Sequence, residues 1–174
     1  MVLGSAAEGV AKIIKDYNGY RRGQKKEDDL AVRKKLLSEL EKSKNNLKNS
    51  LEYVHERDNQ KGSKVIRKVL DEIDMFSNEV DLSEMGHHYP FFDPKKSIKE
   101  KDLKNIVEFD KEMLETCKDV TLATQEIQQR LVDDENIDFE KEFNSIRQYI
   151  TNIRNNYKDR SDYIKGIDPK EESD

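Results

Sequence analysis

The chain contains three histidines and 37 carboxylate side chains, the residue types that most often act as metal ligands and as general acids or bases. Glu52 and His55, like Glu84 and His87, show the Glu-x-x-His spacing that di-iron helical bundles use twice. Such a site needs ligands that face the bundle interior, whereas Glu52 and His55 lie beside the apolar stripe of their predicted helix. His87 and His88 are adjacent, but no cysteine lies near enough in sequence to complete a usual zinc site. We therefore predict no metal cofactor.

The segment 83–96, with the sequence SEMGHHYPFFDPKK, differs in composition from the rest of the chain. Its two prolines, Pro90 and Pro94, exclude a regular helix. Its aromatic side chains have two interpretations, because they either fold back to close the end of a bundle or form an exposed anchor for a partner protein. The candidate partner-binding residues are Tyr89, Phe91 and Phe92.

Nucleophilic and phosphate chemistry have little support in the sequence. Cys117 is the single cysteine and lies on a predicted apolar stripe, where burial disfavours the reactive thiolate. A glycine-rich phosphate loop is absent. The carboxylates within 71–74 and 108–115 could hold Mg²⁺, but a solvated helix face has the same pattern. We predict that the protein is not an enzyme and needs no cofactor, with a metal-dependent helical enzyme as an alternative.

Charge divides unevenly along the chain. Residues 1–68 hold 17 Lys or Arg against 10 Asp or Glu, whereas residues 69–174 hold 15 against 27. The two halves either attract each other in the folded protein or leave the basic half to bind an anionic partner such as a membrane surface. The candidate residues for an anionic surface are Lys12, Lys15, Arg21, Arg22, Lys25 and Lys26. No groove-reading motif occurs, so we predict no binding of nucleic acid.

These side chains must be positioned by helices. The chain is 40% charged and 34% hydrophobic, with seven glycines and three prolines, which favours long helices that each bury one narrow stripe. The sequence therefore predicts an all-α fold, an elongated antiparallel helical bundle. A short first helix is predicted over 5–21, and four main helices over 27–61, 63–82, 98–132 and 138–165. One domain spans 1–165, and a disordered acidic tail spans 166–174.

The signals for these helices are apolar residues at intervals of three and four, with capping residues between them. Capping boxes at Ser5 and Ser97, a turn at Gly62 and Ser63, and an N-cap at Asp138 set the boundaries. The second and fourth helices match in length and should lie side by side. The apolar stripe predicted for the second helix consists of Leu37, Leu40, Lys44, Leu47, Leu51 and Val54. The clearest stripe belongs to the fourth helix: Leu103, Ile106, Asp110, Met113, Cys117, Val120, Thr124, Ile127 and Leu131.

Asp110 interrupts that stripe and is too short to reach solvent, so we predict a cationic partner across the bundle, with Lys44 as the first candidate. Functionally, the pattern favours a non-enzymatic interaction protein, an adaptor, regulator or assembly subunit that binds protein partners or itself. A peripheral membrane protein that uses its basic first helix is the alternative. No apolar run is long enough for a membrane span or a signal peptide, so we expect a cytoplasmic location.

Overall fold

The computed structural model describes residues 4–21, 23–83 and 88–167. Most of these residues belong to five α-helices, and no β-strand occurs among them. The helices are α1 (Gly4–Ile13), α2 (Lys25–Glu56), α3 (Gln60–Leu82), α4 (Glu100–Val132) and α5 (Phe139–Lys165). The prediction of an all-α helical bundle is thereby confirmed. Residues 168–174 of the predicted tail lie outside the described residues, while Gly166 ends α5 in the left-handed conformation, with φ 86°.

The two longest helices, α2 and α4, lie side by side as predicted and run in the same direction. Cys117 lies against the carbonyl oxygen of Leu36, and further along both helices Arg57 pairs with Asp134. Within the pairs α2–α3 and α4–α5 the helices run antiparallel, as expected from the sequence. The bundle therefore consists of two antiparallel hairpins, α2–α3 and α4–α5, set next to each other in parallel orientation.

Residues 88–99, the described residues between Ser83 and α4, cross one end of the bundle, and we call them the crossing segment. The helices α3 and α4 each contact both α2 and α5, so they occupy opposite corners. Within the crossing segment, the short 3₁₀ helix Pro90–Phe92 contacts α2 and α5. We call this the closed end of the bundle, because the crossing segment lies over the start of α2 and the end of α5.

The first helix is shorter than predicted and ends at Ile13 instead of residue 21. Asp16, Gly19 and Tyr20 have positive φ values of 72°, 66° and 58°. Left-handed residues cannot continue a right-handed helix, so the chain turns back toward the closed end. The helix begins at Gly4, which places Ser5 inside it and not at its N-cap as predicted.

The turn between α2 and α3 lies at residues 57–59, earlier than the predicted turn at Gly62 and Ser63. Asn59 caps α3, since its side chain accepts a hydrogen bond from the Gly62 amide at 2.8 Å. Gly62 lies in the first turn of α3, where a Cβ atom would stand 2.9 Å from Cγ1 of Val54. The glycine therefore permits a close approach between the helices and does not end one.

The predicted caps of the last two helices have different outcomes. Asp138 caps α5 as predicted, because its side chain accepts a hydrogen bond from the Lys141 amide at 3.2 Å. Ser97 does not cap α4, which begins at Glu100 with Lys99 at the N-cap position and no side-chain cap. The capping-box prediction for this helix was wrong.

The apolar stripe predicted for α4 is confirmed, with every member from Ile106 to Leu131 buried and Leu103 partly buried. The stripe predicted for α2 is confirmed at Leu40, Leu47 and Val54, which are buried. At its other three positions the buried residue lies one place earlier: Leu36, Ser43 and Ser50 are buried, whereas Leu37, Lys44 and Leu51 are only partly buried. The serines tolerate burial because each hydroxyl donates to a carbonyl one turn earlier, at 3.1 Å for Ser43 and 2.9 Å for Ser50. Small polar residues thus form part of the face on which α4 lies.

A polar contact between α2 and α4 centres on the buried carboxylate of Glu39. It accepts hydrogen bonds from Lys35 at 2.8 Å, Lys42 at 2.9 Å and the Thr121 hydroxyl of α4 at 3.1 Å. Burial by itself raises the pKa of Glu39, but the three donors outweigh it and lower the pKa to about 2. The ionised form therefore stabilises the folded state.

Replacing Glu39 with glutamine is expected to lower the free energy of unfolding by on the order of 2 kcal/mol near neutral pH. The pKa of Glu39 is depressed in the folded state, so its stabilisation is present above about pH 4.3 and is lost as the pH falls toward about 2. Urea unfolding of the wild type and Glu39→Gln at both ends of that range measures the difference. The exposed Glu41→Gln is the control, and a wild-type advantage independent of pH would contradict this account.

Candidate functional site

The closed end of the bundle contains a buried carboxylate, Asp110 of α4, which has no solvent exposure. One carboxylate oxygen accepts hydrogen bonds from the hydroxyls of Tyr17 at 3.0 Å and Tyr20 at 2.6 Å. The other accepts from Nε of Arg160 at 2.5 Å. The predicted burial and cationic partner are confirmed, but the partner is Arg160 of α5 instead of Lys44. Lys44 pairs with Asp74 of α3 at 2.5 Å.

Arg160 is 1% exposed and connects Asp110 to a second buried carboxylate. Its Nη2 donates to the Tyr20 hydroxyl at 2.6 Å and to Asp29 of α2 at 2.7 Å. Asp29 also accepts from Nε of Arg33 at 3.0 Å. Two carboxylates and two guanidinium groups therefore alternate, and their formal charges balance. We call Asp29, Arg33, Asp110 and Arg160, with the hydroxyls of Tyr17 and Tyr20, the core ion network.

The pKa values of the network are set by burial and by the network itself. Burial raises the pKa of Asp110, while the Arg160 guanidinium and the two tyrosine hydroxyls act in the opposite direction. Burial opposes the charge of Arg160, but the neighbouring Asp110 and Asp29 help to hold its pKa well above the ordinary value. Burial and the nearby Asp110 also raise the pKa of Tyr17. Neither hydroxyl is poised to give up its proton, which favours a structural role for the network.

A backbone clamp places Tyr20 in this network. Asp28 of α2 accepts hydrogen bonds from the amides of Asn18 at 3.0 Å and Tyr20 at 2.7 Å. These bonds hold the left-handed segment after α1 against the start of α2, so that the Tyr20 ring points to Arg160 and Asp110. Asp28 therefore fixes the segment that precedes α2.

The aromatic residues of the crossing segment lie mostly in the core. Phe91 and Phe92 are 5% and 6% exposed, and only Tyr89 is partly exposed. The Phe91 ring meets the edge of Tyr20 at 5.4 Å between centroids and lies 5.6 Å from the Lys25 ammonium. Phe91 and Phe92 are thus not an exposed anchor, because their burial closes the bundle end. Tyr89 alone lies where a partner could touch it.

An open groove runs beside Tyr89 between the C-terminal parts of α3 and α5, with a volume of about 410 Å³. Its apolar lining includes Tyr89, Tyr157 and Ile164, together with Leu82, which is 68% exposed. Three cationic side chains at the surface of α5, Arg154, Lys158 and Lys165, also line it, and a fourth, Arg160, is buried beneath them. We call this the α3/α5 groove. The sequence analysis did not identify it, because it depends on α3 and α5 being neighbours.

The basic residues predicted to bind an anionic surface are not all exposed. Lys12, Lys15, Arg21 and Lys26 are exposed, and Arg22 lies outside the described residues. Lys25 is buried, so its assignment to an exposed surface was wrong. Its ammonium group donates to the carbonyl oxygens of Asp93 at 3.5 Å and Lys96 at 3.3 Å, which holds it beneath the crossing segment.

The remaining residues considered for catalysis or metal binding include the single cysteine and the Glu-x-x-His pairs. Cys117 is buried as predicted, and burial raises the pKa of its thiol to about 12. Glu52 and His55 are exposed on α2, while Glu84 and His87 lie outside the described residues. Within 4–21, 23–83 and 88–167, no group of three or more His, Cys, Asp or Glu side chains is placed to hold a metal ion. No helix in those ranges has the length and apolarity of a membrane span.

Sequence reasoning missed Arg160, although a signal for it was present. In α5 the buried positions Ile150, Ile153 and Tyr157 continue at the same spacing to Arg160 and then to Ile164. A charged residue in register with an apolar stripe is the same signal that identified Asp110. Two opposite charges in the stripes of consecutive helices could therefore have been paired from the sequence.

Comparisons of this chain with protein-family models, with curated proteins and with solved structures gave no match. The α3/α5 groove is the candidate site, because exposed apolar and cationic side chains lie together there. The core ion network lies beneath it. Arg160 and Asp29 belong to both, since they line the groove from below.

Proposed function

We propose that the protein is a non-enzymatic helical interaction module that binds a segment of a partner protein in the α3/α5 groove. The observation that carries the proposal is the position of exposed Leu82 beside the three cationic side chains of α5. Exposed apolar side chains with a polar rim are typical of protein-binding surfaces. The role of such a module is that of an adaptor, regulator or assembly subunit.

The chemistry of the groove favours an acidic partner segment with at least one large apolar side chain. Arg154 is paired with Glu79, and Lys165 lies 3.7 Å from Asp162, while Lys158 is exposed at the groove edge. The cationic lining residues outnumber Glu79 and Asp29, so a segment with carboxylates is attracted to the groove. The apolar surface of Leu82 and Ile164 supplies the contact for an aromatic or aliphatic side chain.

The assignment as a binding module without catalytic activity is supported by the state of the ionisable groups. Asp110, Arg160, Tyr17 and Tyr20 are held by one another in the core ion network. The Cys117 thiol stays protonated at neutral pH because of its burial. The proposal places the module in the cytoplasm, since a single free cysteine suits a reducing compartment.

A membrane-surface function through the first helix has less support. An interfacial helix inserts its apolar face between lipids. In α1 and the turn after it, Val10 and Ile14 are buried, and α1 contacts α4. Lys12 and Lys15 therefore project from an element whose apolar side is already covered.

Selection of a displayed library of random peptides on the full chain tests the proposal. We expect the enriched peptides to combine Asp or Glu with an aromatic or aliphatic residue. Their affinity, measured by fluorescence anisotropy, should fall about tenfold or more with Leu82→Ser and with Lys158→Glu. Both side chains are exposed, so neither change should disturb folding.

Matched controls lie elsewhere on the surface. Leu122→Ser removes an exposed leucine of α4, and Lys141→Glu reverses a charge near the start of α5. Neither residue lines the groove, so both variants should bind the selected peptides as the wild type does. Peptides without acidic residues, or affinities that fall equally in test and control variants, would rule out the proposed binding site.

A further inference from the structure

A second recess lies at the closed end, on the side of the crossing segment that faces α4. It has a volume of about 340 Å³ and is formed by the chain before α2 together with residues 94–98 and Leu103 of α4. Four of its lining residues are cationic: Arg21, Lys25, Lys95 and Lys96. Among the described residues that line it, none is a carboxylate. We call this the basic recess.

The four cations come from two segments about 70 positions apart in the sequence. Lys25 is buried and bonded to the carbonyl oxygens of Asp93 and Lys96, which fixes residues 93–96 next to the start of α2. The carboxylate of Asp93 turns back and accepts a hydrogen bond from the Lys95 amide at 2.8 Å. Lys95, Lys96 and Arg21 remain exposed around the opening.

The geometry points to a binding site for a phosphate group, carried by a small organic phosphate or by a lipid headgroup. Guanidinium and ammonium groups form charge-assisted hydrogen bonds to phosphate oxygens, and Arg21 adds a fork of donors that suits two oxygens at once. Ser97 contributes a hydroxyl to the lining. Ile98 and Leu103 supply apolar surface for the organic part of such a ligand.

This site is independent of the α3/α5 groove, because neither Leu82 nor Lys158 lines the basic recess. It also changes the role of the basic residues near the start of the chain. Arg21 and Lys25 line the recess, whereas Lys12, Lys15 and Lys26 do not. Lys95 and Lys96, which follow the aromatic segment, complete it.

Isothermal titration calorimetry of the full chain with glycerol 3-phosphate tests the site. The double variant Lys95→Gln/Lys96→Gln should bind at least about tenfold more weakly than the wild type, since two ammonium contacts are lost. Both residues are exposed, so the melting temperature should stay unchanged. The matched control is Lys12→Gln/Lys15→Gln, which removes two exposed charges outside the recess and should leave binding intact.

A second experiment measures binding to phosphatidylcholine vesicles that contain phosphatidic acid. It distinguishes a lipid headgroup from a small organic phosphate as the ligand. Binding of free glycerol 3-phosphate that is lost in the recess variant supports a soluble organic phosphate. Binding to the vesicles alone, lost in the same variant and kept in the control, supports a lipid headgroup. Absence of binding to both probes, or an equal loss in the two double variants, overturns the proposal.

Discussion

Replacing Arg160 with methionine is expected to lower the free energy of unfolding by about 3–5 kcal/mol. Methionine fills a similar volume but leaves Asp110 and Asp29 without the cation that lies between them. Both carboxylates are buried, so water cannot replace the lost contacts without opening the closed end. Urea unfolding followed by circular dichroism measures the loss.

The pH dependence of this variant identifies the cause. Burial raises the pKa of Asp110, and without Arg160 the opposing attraction is gone. A carboxyl group whose pKa is higher in the folded state than in the unfolded state binds more protons when the protein is folded. The Arg160→Met variant therefore loses stability as the pH rises through the folded-state pKa of Asp110. Arg160→Met should therefore be more stable in mild acid than near neutral pH. Adding Asp110→Leu should recover part of the stability and reduce this dependence, because only Asp29 then remains without Arg160.

The control for Arg160→Met is Arg67→Met, which replaces an exposed arginine of α3. We expect it to change the free energy of unfolding by less than about 0.5 kcal/mol. A loss of similar size in both variants, or no dependence on pH for Arg160→Met, would show that the core ion network does not stabilise the closed end.

Replacing Phe91 with alanine is expected to cost about 3–5 kcal/mol of stability. The ring is buried against Tyr20 and Phe92, with centroid separations of 5.4 Å and 4.9 Å, and the Lys25 ammonium lies over it. Its removal leaves a cavity under the crossing segment and exposes Lys25 and Tyr20 to water. Thermal unfolding of Phe91→Ala against the wild type measures the effect.

Tyr89→Ala is the matched comparison, because Tyr89 lies two residues earlier and is only partly buried. It should cost less than half as much stability as Phe91→Ala. The pair of variants separates the two interpretations of the aromatic segment. If Phe91→Ala kept the wild-type stability, the ring would not close the bundle. That result would favour the other interpretation, in which the aromatic segment anchors a partner protein.

The helices themselves could be predicted from the sequence because their apolar residues repeat at one spacing. The stripe of α4 was identified in full, including the burial of Asp110 and Cys117. The stripe of α2 was identified correctly at Leu40, Leu47 and Val54 but not at Ser43 and Ser50. These two serines are polar by type, yet they are buried because their hydroxyls donate to carbonyls of their own helix. Periodicity of apolar residues cannot identify such positions.

The partner of Asp110 could not be predicted, because it depends on how the helices are aligned. Both Lys44 and Asp110 lie near the middle of their predicted helices, which suggested that they meet. In the structure, Cys117 of α4 lies level with Leu36 of α2. Asp110 is therefore level with the start of α2, and Lys44 faces α3. No local pattern in the sequence determines that alignment.

The two candidate binding surfaces were missed for the same reason. The α3/α5 groove needs Leu82 and Lys158 on neighbouring helices, and the basic recess needs Arg21 and Lys95 from distant segments. Each residue looks like an ordinary surface side chain in the sequence. These residues form a candidate binding surface only because folding brings them together.

The hydrogen bond between Arg160 and Tyr20 joins residues 140 positions apart, and this separation matters during synthesis on the ribosome. Translation proceeds from the N-terminus, so Tyr17, Tyr20 and Asp110 emerge well before the cation that they require. The nascent chain therefore exposes an incomplete polar centre until α5 has left the exit tunnel. A chain that ends before Arg160 lacks the cation between Asp110 and Asp29, so we expect such a chain to be degraded faster by proteases than the full chain.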